Sequence, residues 1–469
     1  MTGIAAVATV GAIGIVDGAT SRPGASGTRE RQGDLPLAVS GDDEVETMTV
    51  EGFRKTTLPS GITLLTEGLA DRPSLAVGVW LRSGARDEPR PQLGITHFVE
   101  HMMFKGTERR DARAIAASLE SLGGHLDAFT AREEVCYYGR VLADHMPDVL
   151  DVLADIVCHS RFAEREVDRE KSVVREEIFA AEDNPEDKIG ELLAGLVWGE
   201  HALGQPILGT VATVDALGPE SLRAHHHSRH RADHLVIAVT GAVEHGRVAD
   251  LVQKSFTPPA GETPGLSTAP PPFVRSTRHD MREGLQQLYL ALGTRGAAYG
   301  DPARYPLVVL STLLGGGMSS RLFQSVREEA GLAYSVFSIT DFHRDAGMVS
   351  IQLGVAPDRG REALARVREE LLKLCAEGPA EAEVEAARQQ LKGSILMGQE
   401  SVSNRMYQLA HEEIYTGRYT PPEEHVTKLM AVTREHVTEA ARRVLRPENF
   451  ALAALGPAPG GELTEKDWG

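Results

Sequence analysis

The stretch Ile95-Thr96-His97-Phe98-Val99-Glu100-His101-Met102-Met103-Phe104 decides how the rest of the chain reads. It is apolar, helix-like, and opens after Gly94. At about 100° per residue, His97 and His101 lie one turn apart on one helix face, with Glu100 beside them. Two imidazoles so placed can grip one small cation, and the neighbouring carboxylate can accept a proton from water. The order H-x-x-E-H reverses the commoner H-E-x-x-H. A helix carrying two satisfied histidines would show the same five residues. Whether other parts of the chain complete the set decides between the two.

At 469 residues the chain exceeds one ordinary domain, and its 42% apolar and 25% charged residues are those of a globular protein. The net charge of −18 opposes a nucleic-acid partner, whose phosphates it would repel. No apolar run is long enough to span a bilayer, so no membrane partner is expected. Three scattered cysteines (Cys136, Cys158, Cys375) are too few for a disulfide framework and fit a reducing compartment. Ile4 to Val16 is apolar, but no Lys or Arg precedes it as a secretory signal would require. A cytoplasmic location is therefore expected, with export left open.

Order begins near Phe53. Residues 1–51 read as a disordered or targeting extension. Thr56 to Leu65 reads as strand, turn, strand, and Ser74 to Leu81 as a central strand. Arg82 to Gln92 reads as a polar loop leading to the motif helix. A helix at Ala112 to Leu122, strands at His125 to Ala131 and Glu134 to Val141, and helices at Asp148 to His159 and Glu164 to Glu182 follow. A Pro, Gly and Thr cluster over 257–272 marks a linker. Beyond it the order repeats: strand Gln286 to Leu292, helix Tyr305 to Leu314, strands Ala333 to Asp341 and Gly347 to Val355, helix Gly360 to Glu377. The second apolar helix carries no His or Glu. The pattern predicts an α+β fold of two duplicated domains, each a mixed, mostly antiparallel sheet with helices packed on one face. The domains are expected at 52–256 and 273–458, with a tail over 459–469.

A catalytic zinc site takes three protein ligands and leaves a position for water. The third donor is expected from the acidic helix Glu164 to Glu182, whose apolar stripe Val167, Val174, Ile178 marks its buried side. Glu170 and Glu177 are seven apart and share one line of that helix. Glu176 competes, since spacing alone does not exclude a one-residue rotation. A solvated face is the ordinary fate of such glutamates.

The run His97-Phe98-Val99-Glu100-His101-Met102-Met103-Phe104-Lys105-Gly106-Thr107 resembles the signature of the pitrilysin and mitochondrial processing peptidase family. The resemblance extends over about residues 52 to 455. It implies a zinc metalloendopeptidase with one Zn²⁺ per chain, held by His97, His101 and Glu177, the last within Arg175-Glu176-Glu177-Ile178. It implies Glu100 as general base and Glu170 as a supporting acid. Leu313-Leu314-Gly315-Gly316-Gly317-Met318 is similar to a glycine-rich segment of the family's second domain. Arg327 and Tyr334 resemble a pair that closes over substrate from the half opposite the zinc. Gly123 to Thr130 resembles an edge strand that pairs with a peptide substrate, implying contacts at Ala128, Phe129 and Thr130. Asp127 stands where asparagine is common, so backbone contact there is expected to differ. The family's clamshell has four such domains and this chain two, which implies a homodimer or a heterodimer with a related chain. A non-catalytic assembly subunit is the alternative reading. The cluster His225-His226-His227, His230 and His234 invites a second metal, but it precedes a strand in the manner of a helix end.

Overall fold

The computed structural model describes residues 47–50, 52–261, 264–266 and 271–468. Its first half runs β1 (Thr47–Val50), β2 (Phe53–Thr57), β3 (Thr63–Gly68), β4 (Ser74–Leu81), α1 (Ile95–Met103) and α2 (Ala112–Glu120). Then come β5 (His125–Thr130), β6 (Val135–Leu142), α3 (Met146–His159), α4 (Glu164–Asp183) and α5 (Pro185–Trp198). The short α6 (Val211–Ala216), α7 (Pro219–Arg229), β7 (Leu235–Gly241) and α8 (His245–Ser255) complete it. The second half runs β8 (Thr277–Asp280), β9 (Leu288–Arg295), α9 (Arg304–Gly315), β10 (Ala333–Phe342), β11 (Gly347–Val355) and α10 (Gly360–Glu377). It closes with α11 (Glu381–Gly398), α12 (Val402–Thr416), α13 (Pro422–Met430), α14 (Arg434–Val444) and β12 (Ala451–Leu455).

The sheets are ordered β1-β2-β3-β7-β4-β6-β5 and β10-β11-β9-β12-β8. Read from β5, the first sheet runs β5-β6-β4-β7-β3, which is the second sheet's plan strand for strand. Directions match as well: β3 with β7, and β8 with β12, are the parallel pairs. The duplication expected from element order is therefore present in the topology of both mixed sheets.

Alternation along the strands shows what covers each face. In β4, Leu75, Val77, Val79 and Leu81 join a core with α1, α3, α4 and α8, while Ala76 and Trp80 point the other way. A Cβ on Gly78 would collide with the Trp80 ring, so glycine is the residue that fits there. Apart from α5 and α12, the helices packed on each sheet lie on one face of it and come from its own half. The opposite face is covered by a helix from the other half. Val402, Met406, Leu409 and Ala410 of α12 pack on the first sheet with Phe53, Leu65, Trp80 and Val236. Reciprocally, Ile189, Leu193, Val197 and Trp198 of α5 pack on the second sheet with Ala291, Met348, Ala451 and Leu455. Such a two-sided sheet reads as near-continuous apolar strand, as β4, β7 and β12 do.

Several expectations shift. Among the described residues, regular structure already precedes Phe53: β1 pairs antiparallel with β2, and Gly52, at φ 79°, lies between them. The rest of the extension lies outside the described residues, as do parts of the 257–272 linker. The strand expected to stop at Leu292 continues to Arg295, which pairs with Met348. The tail does not hang free. Trp468 is buried against Phe450 and its indole N–H donates to the Pro447 carbonyl at 2.8 Å. Among the described residues, no helix is long and apolar enough to cross a membrane.

Candidate metal centre

Helix α1 starts where it does because Gly94, at φ 87°, takes a backbone conformation that side chains disfavour. A Cβ at Gly94 would also collide with the Leu208 carbonyl. Its first turn is held by Glu88, whose carboxylate accepts from Gly94 N at 2.7 Å and from Thr96 N at 2.8 Å. A carboxylate so placed satisfies two orphan donors and faces the positive end of the helix dipole. Burial pushes the Glu88 carboxyl up to about 7, against the pull of those hydrogen bonds. Ile95, Phe98, Val99 and Met102 anchor the helix in the core. The remaining face, with His97, Glu100 and His101, turns toward α4 and β5.

Three potential ligand atoms converge there. One from each of His97, His101 and Glu177 lie within 4.8 Å of one another. Glu177 Oε2 is 3.5 Å from His97 Nε2 and 3.2 Å from His101 Nε2. It has no aligned hydrogen bond, and neither has the buried Nδ1 of His97. Two imidazole nitrogens and a carboxylate oxygen brought together without saturating each other form a donor set suited to a divalent cation such as zinc. Glu176 is exposed, whereas Glu177 faces both rings.

Glu170, 4% exposed, accepts from His101 Nδ1 at 2.8 Å, which leaves His101 Nε2 to face Glu177. Lys105 Nζ lies 2.8 Å from its other oxygen. Burial drives the His97 pKa down to about 3, with His101 adding to the effect. Burial acts the same way on His101, but the Glu170 and Glu177 carboxylates overcome it and raise it to about 9. Burial raises the Glu100 carboxyl to about 7, partly offset by Thr130, whose hydroxyl donates to Glu100 Oε2 at 2.6 Å. A carboxyl so raised can exchange a proton near neutral pH, and Thr130 holds one of its two oxygens.

Thr130 ends β5, the edge strand of the first sheet. Its outer side has no partner strand among the described residues, so Ala128, Phe129 and Thr130 present a ladder edge beside Glu100. Asp127 is occupied locally: Oδ1 accepts from Ala128 N at 2.9 Å and Oδ2 from the Tyr138 hydroxyl at 3.3 Å. Arg327 and Tyr334 belong to the second half, the former on a π-helical segment, Phe323–Glu329. Tyr334 is the extra residue of a bulge in β10 and is 76% exposed. The Arg327 guanidinium lies 5.2 Å from its ring centroid. Neither residue touches His97, His101 or Glu177 among the described contacts.

Within the loop expected to be polar, Arg82 to Gln92, residues Ser83 to Arg86 and Glu88 are buried while Pro89, Arg90 and Pro91 are exposed, and the buried part joins the halves. The Arg86 side chain, fully buried, pairs with Glu133 at 2.6 Å and with Asp345 at 2.6 Å. Glu133 also accepts from Arg344 N at 2.9 Å. Glu88 and this ion cluster have no periodic signal in the sequence, and only their shared loop next to the motif could have pointed to them. The histidine cluster is structural. His226 Nε2 is 2.8 Å from the Val157 carbonyl, and His230 Nε2 is 3.1 Å from the Tyr137 hydroxyl. Burial drives His225 and His226 down to about 3 and about 4. No cation-binding set forms there among the described residues.

Two family models match the chain: Insulinase (Peptidase family M16) over residues 64–211, and Peptidase M16 inactive domain over residues 216–391. A Bacillus subtilis (strain 168) relative, Uncharacterized zinc protease YmxG, is 38% identical over 408 residues, 87% of this chain and 98% of its own. An uncharacterized zinc protease of Mycobacterium leprae (strain TN) is 35% identical over 439 residues, 92% and 96% of the two chains. A solved protease from Helicobacter pylori shares the fold with TM-score 0.82 at 20% identity, covering 87% of this chain and 100% of that one. A peptidase M16 inactive domain from Pseudomonas fluorescens does so with TM-score 0.78 at 21% identity, covering 88% and 100%.

Proposed function

The chain belongs to the M16 family of peptidases, and on that premise we propose that it is a zinc-dependent endopeptidase acting on short or unfolded peptides. The observation that carries this reading is the convergence of His97, His101 and Glu177 within 4.8 Å. These three would hold one zinc ion per chain. When bound, zinc supplies Lewis acidity that makes water nucleophilic near neutral pH. Glu100 would take the proton of the attacking water and pass it to the leaving amine. Thr130 keeps the Glu100 carboxylate aimed, and Glu170 fixes the ring orientation of His101. The free edge at Ala128–Thr130 would receive the peptide as an added strand, so recognition depends on extended shape.

Arg327 and Tyr334 would anchor the substrate backbone and stabilise charge on the reacting carbonyl from the second half. The match of that half to a model described as inactive accords with α9, which has no His or Glu. A second chain, a copy of this one or a relative, would face the site and close a chamber around the peptide. The free cysteines agree with a cytoplasmic setting. Metal analysis of the purified chain beside a peptide-library digest, with and without chelator, tests the reading. Bound zinc with chelator-sensitive cleavage is expected. Zinc without cleavage, or no zinc at all, would overturn the peptidase reading and return the non-catalytic subunit.

A further inference from the structure

Lys105 follows the last turn of α1, its backbone N–H donating to the Met102 carbonyl at 3.1 Å. Its ammonium is 2.8 Å from Glu170 Oε2, while Glu170 Oε1 is 2.8 Å from His101 Nδ1. One buried carboxylate is therefore shared between an imidazole and a cation. Among the described residues, these are the two ion-pair partners of Glu170.

A carboxylate that accepts the outer N–H of a ligating histidine raises the basicity of the other nitrogen. An ammonium on the same carboxylate works against that. It draws charge from Glu170, weakens its hold on the imidazole proton, and adds a positive charge near the place where a cation would sit. Both effects have one sign. We infer that Lys105 is a positioning and tuning residue that keeps His101 a weaker donor, holding metal affinity below what the three ligands and Glu170 alone would reach.

The inference rests on the zinc reading above. A lysine that served only to pin Glu170 would act in the opposite sense: its loss would free the carboxylate and weaken metal binding. The sign of the effect therefore separates tuning from support.

The test is a competition titration of zinc between a chelator and the full-length chain, in wild type, Lys105→Met, Lys105→Arg and Glu170→Gln. Met keeps the length and removes the charge, and Arg keeps the charge. Lys105→Met is expected to bind zinc about three- to tenfold more tightly, and Lys105→Arg to restore affinity to within about twofold. Glu170→Gln is expected to weaken binding by about 10- to 100-fold. Unchanged or weaker binding by Lys105→Met overturns the inference while leaving the zinc reading intact. A wild-type chain that binds no zinc overturns both. If Lys105→Met fails to fold, Lys105→Gln, also uncharged, is titrated in its place and read by the same sign.

Discussion

Helices α1 and α9 occupy the same place in two copies of one sheet plan, and they treat buried polarity in opposite ways. On α9 the polar groups find partners. Ser311 and Ser338, both buried, hydrogen-bond at 2.8 Å, and Thr312 returns its hydroxyl to the Val308 carbonyl at 2.8 Å. On α1, His97 Nδ1 is buried without a partner, and the acid facing both rings is left without an aligned bond. Helix α9 is satisfied, its one charged residue, Arg304, donating to the Tyr299 carbonyl at 2.7 Å, whereas α1 carries polar groups that it does not resolve internally. Polar strain of this kind is costly unless a ligand answers it. The scaffold is shared, so the site lies in a few side chains rather than in the fold.

The largest expected effect breaks the comparison at α1. Glu100→Gln should keep zinc, measured by metal analysis, and lose about 10²- to 10⁴-fold in peptide turnover. His101→Ala, by contrast, should lose the metal as well. If Glu100→Gln keeps wild-type turnover, the role given to that carboxylate is wrong.

The contact between the halves comes next. Burial disfavours the Glu133 charge, but His343, Arg344 and Arg86 overcome it and hold its carboxyl at about 2. A carboxyl depressed in the folded state adds stability above its unfolded value, near 4.5, and that stability is lost as pH falls toward about 2. Glu133→Gln should cost roughly 3 kcal/mol at neutral pH and flatten the acid limb of chemical denaturation curves between those values. An unchanged acid limb would mean that the Glu133 ion pairs do not stabilise the contact between the halves.

On α9, Ser311→Ala leaves one buried hydroxyl unpaired and should cost about 1–3 kcal/mol in thermal or denaturant melts, with zinc content and turnover unchanged. A drop in zinc content would mean the second helix is coupled to the site after all. The smallest effect is sharpened at Tyr334. Because its side chain is 76% exposed, Tyr334→Phe should shift stability by no more than about 0.5 kcal/mol. Its effect should instead fall on peptide turnover, by about tenfold, compared under saturating and limiting substrate.

What the sequence made legible follows the same division. Apolar runs located α1 and α9, and an apolar stripe turned inward located α4. The seven-residue step from Glu170 to Glu177 put both acids on one line, and both face α1. Periodicity says nothing about irregular segments. Glu88 and Arg86 read as a polar loop, yet one clamps the motif helix and the other joins the halves. Lys105 read as part of a motif with no stated role. The covering of each sheet by a distant helix was also out of reach, since an amphipathic stripe does not say which surface it meets.

That last feature bears on how the polypeptide can be dissected. Severed between residues 257 and 272, the amino-terminal fragment would keep α5 but lack α12, leaving Trp80 and its neighbours bare. The carboxyl-terminal fragment would lack α5 over Ala291 and Ala453. Each piece would leave bare an apolar sheet face that the other covers, so the two halves are expected to mature together.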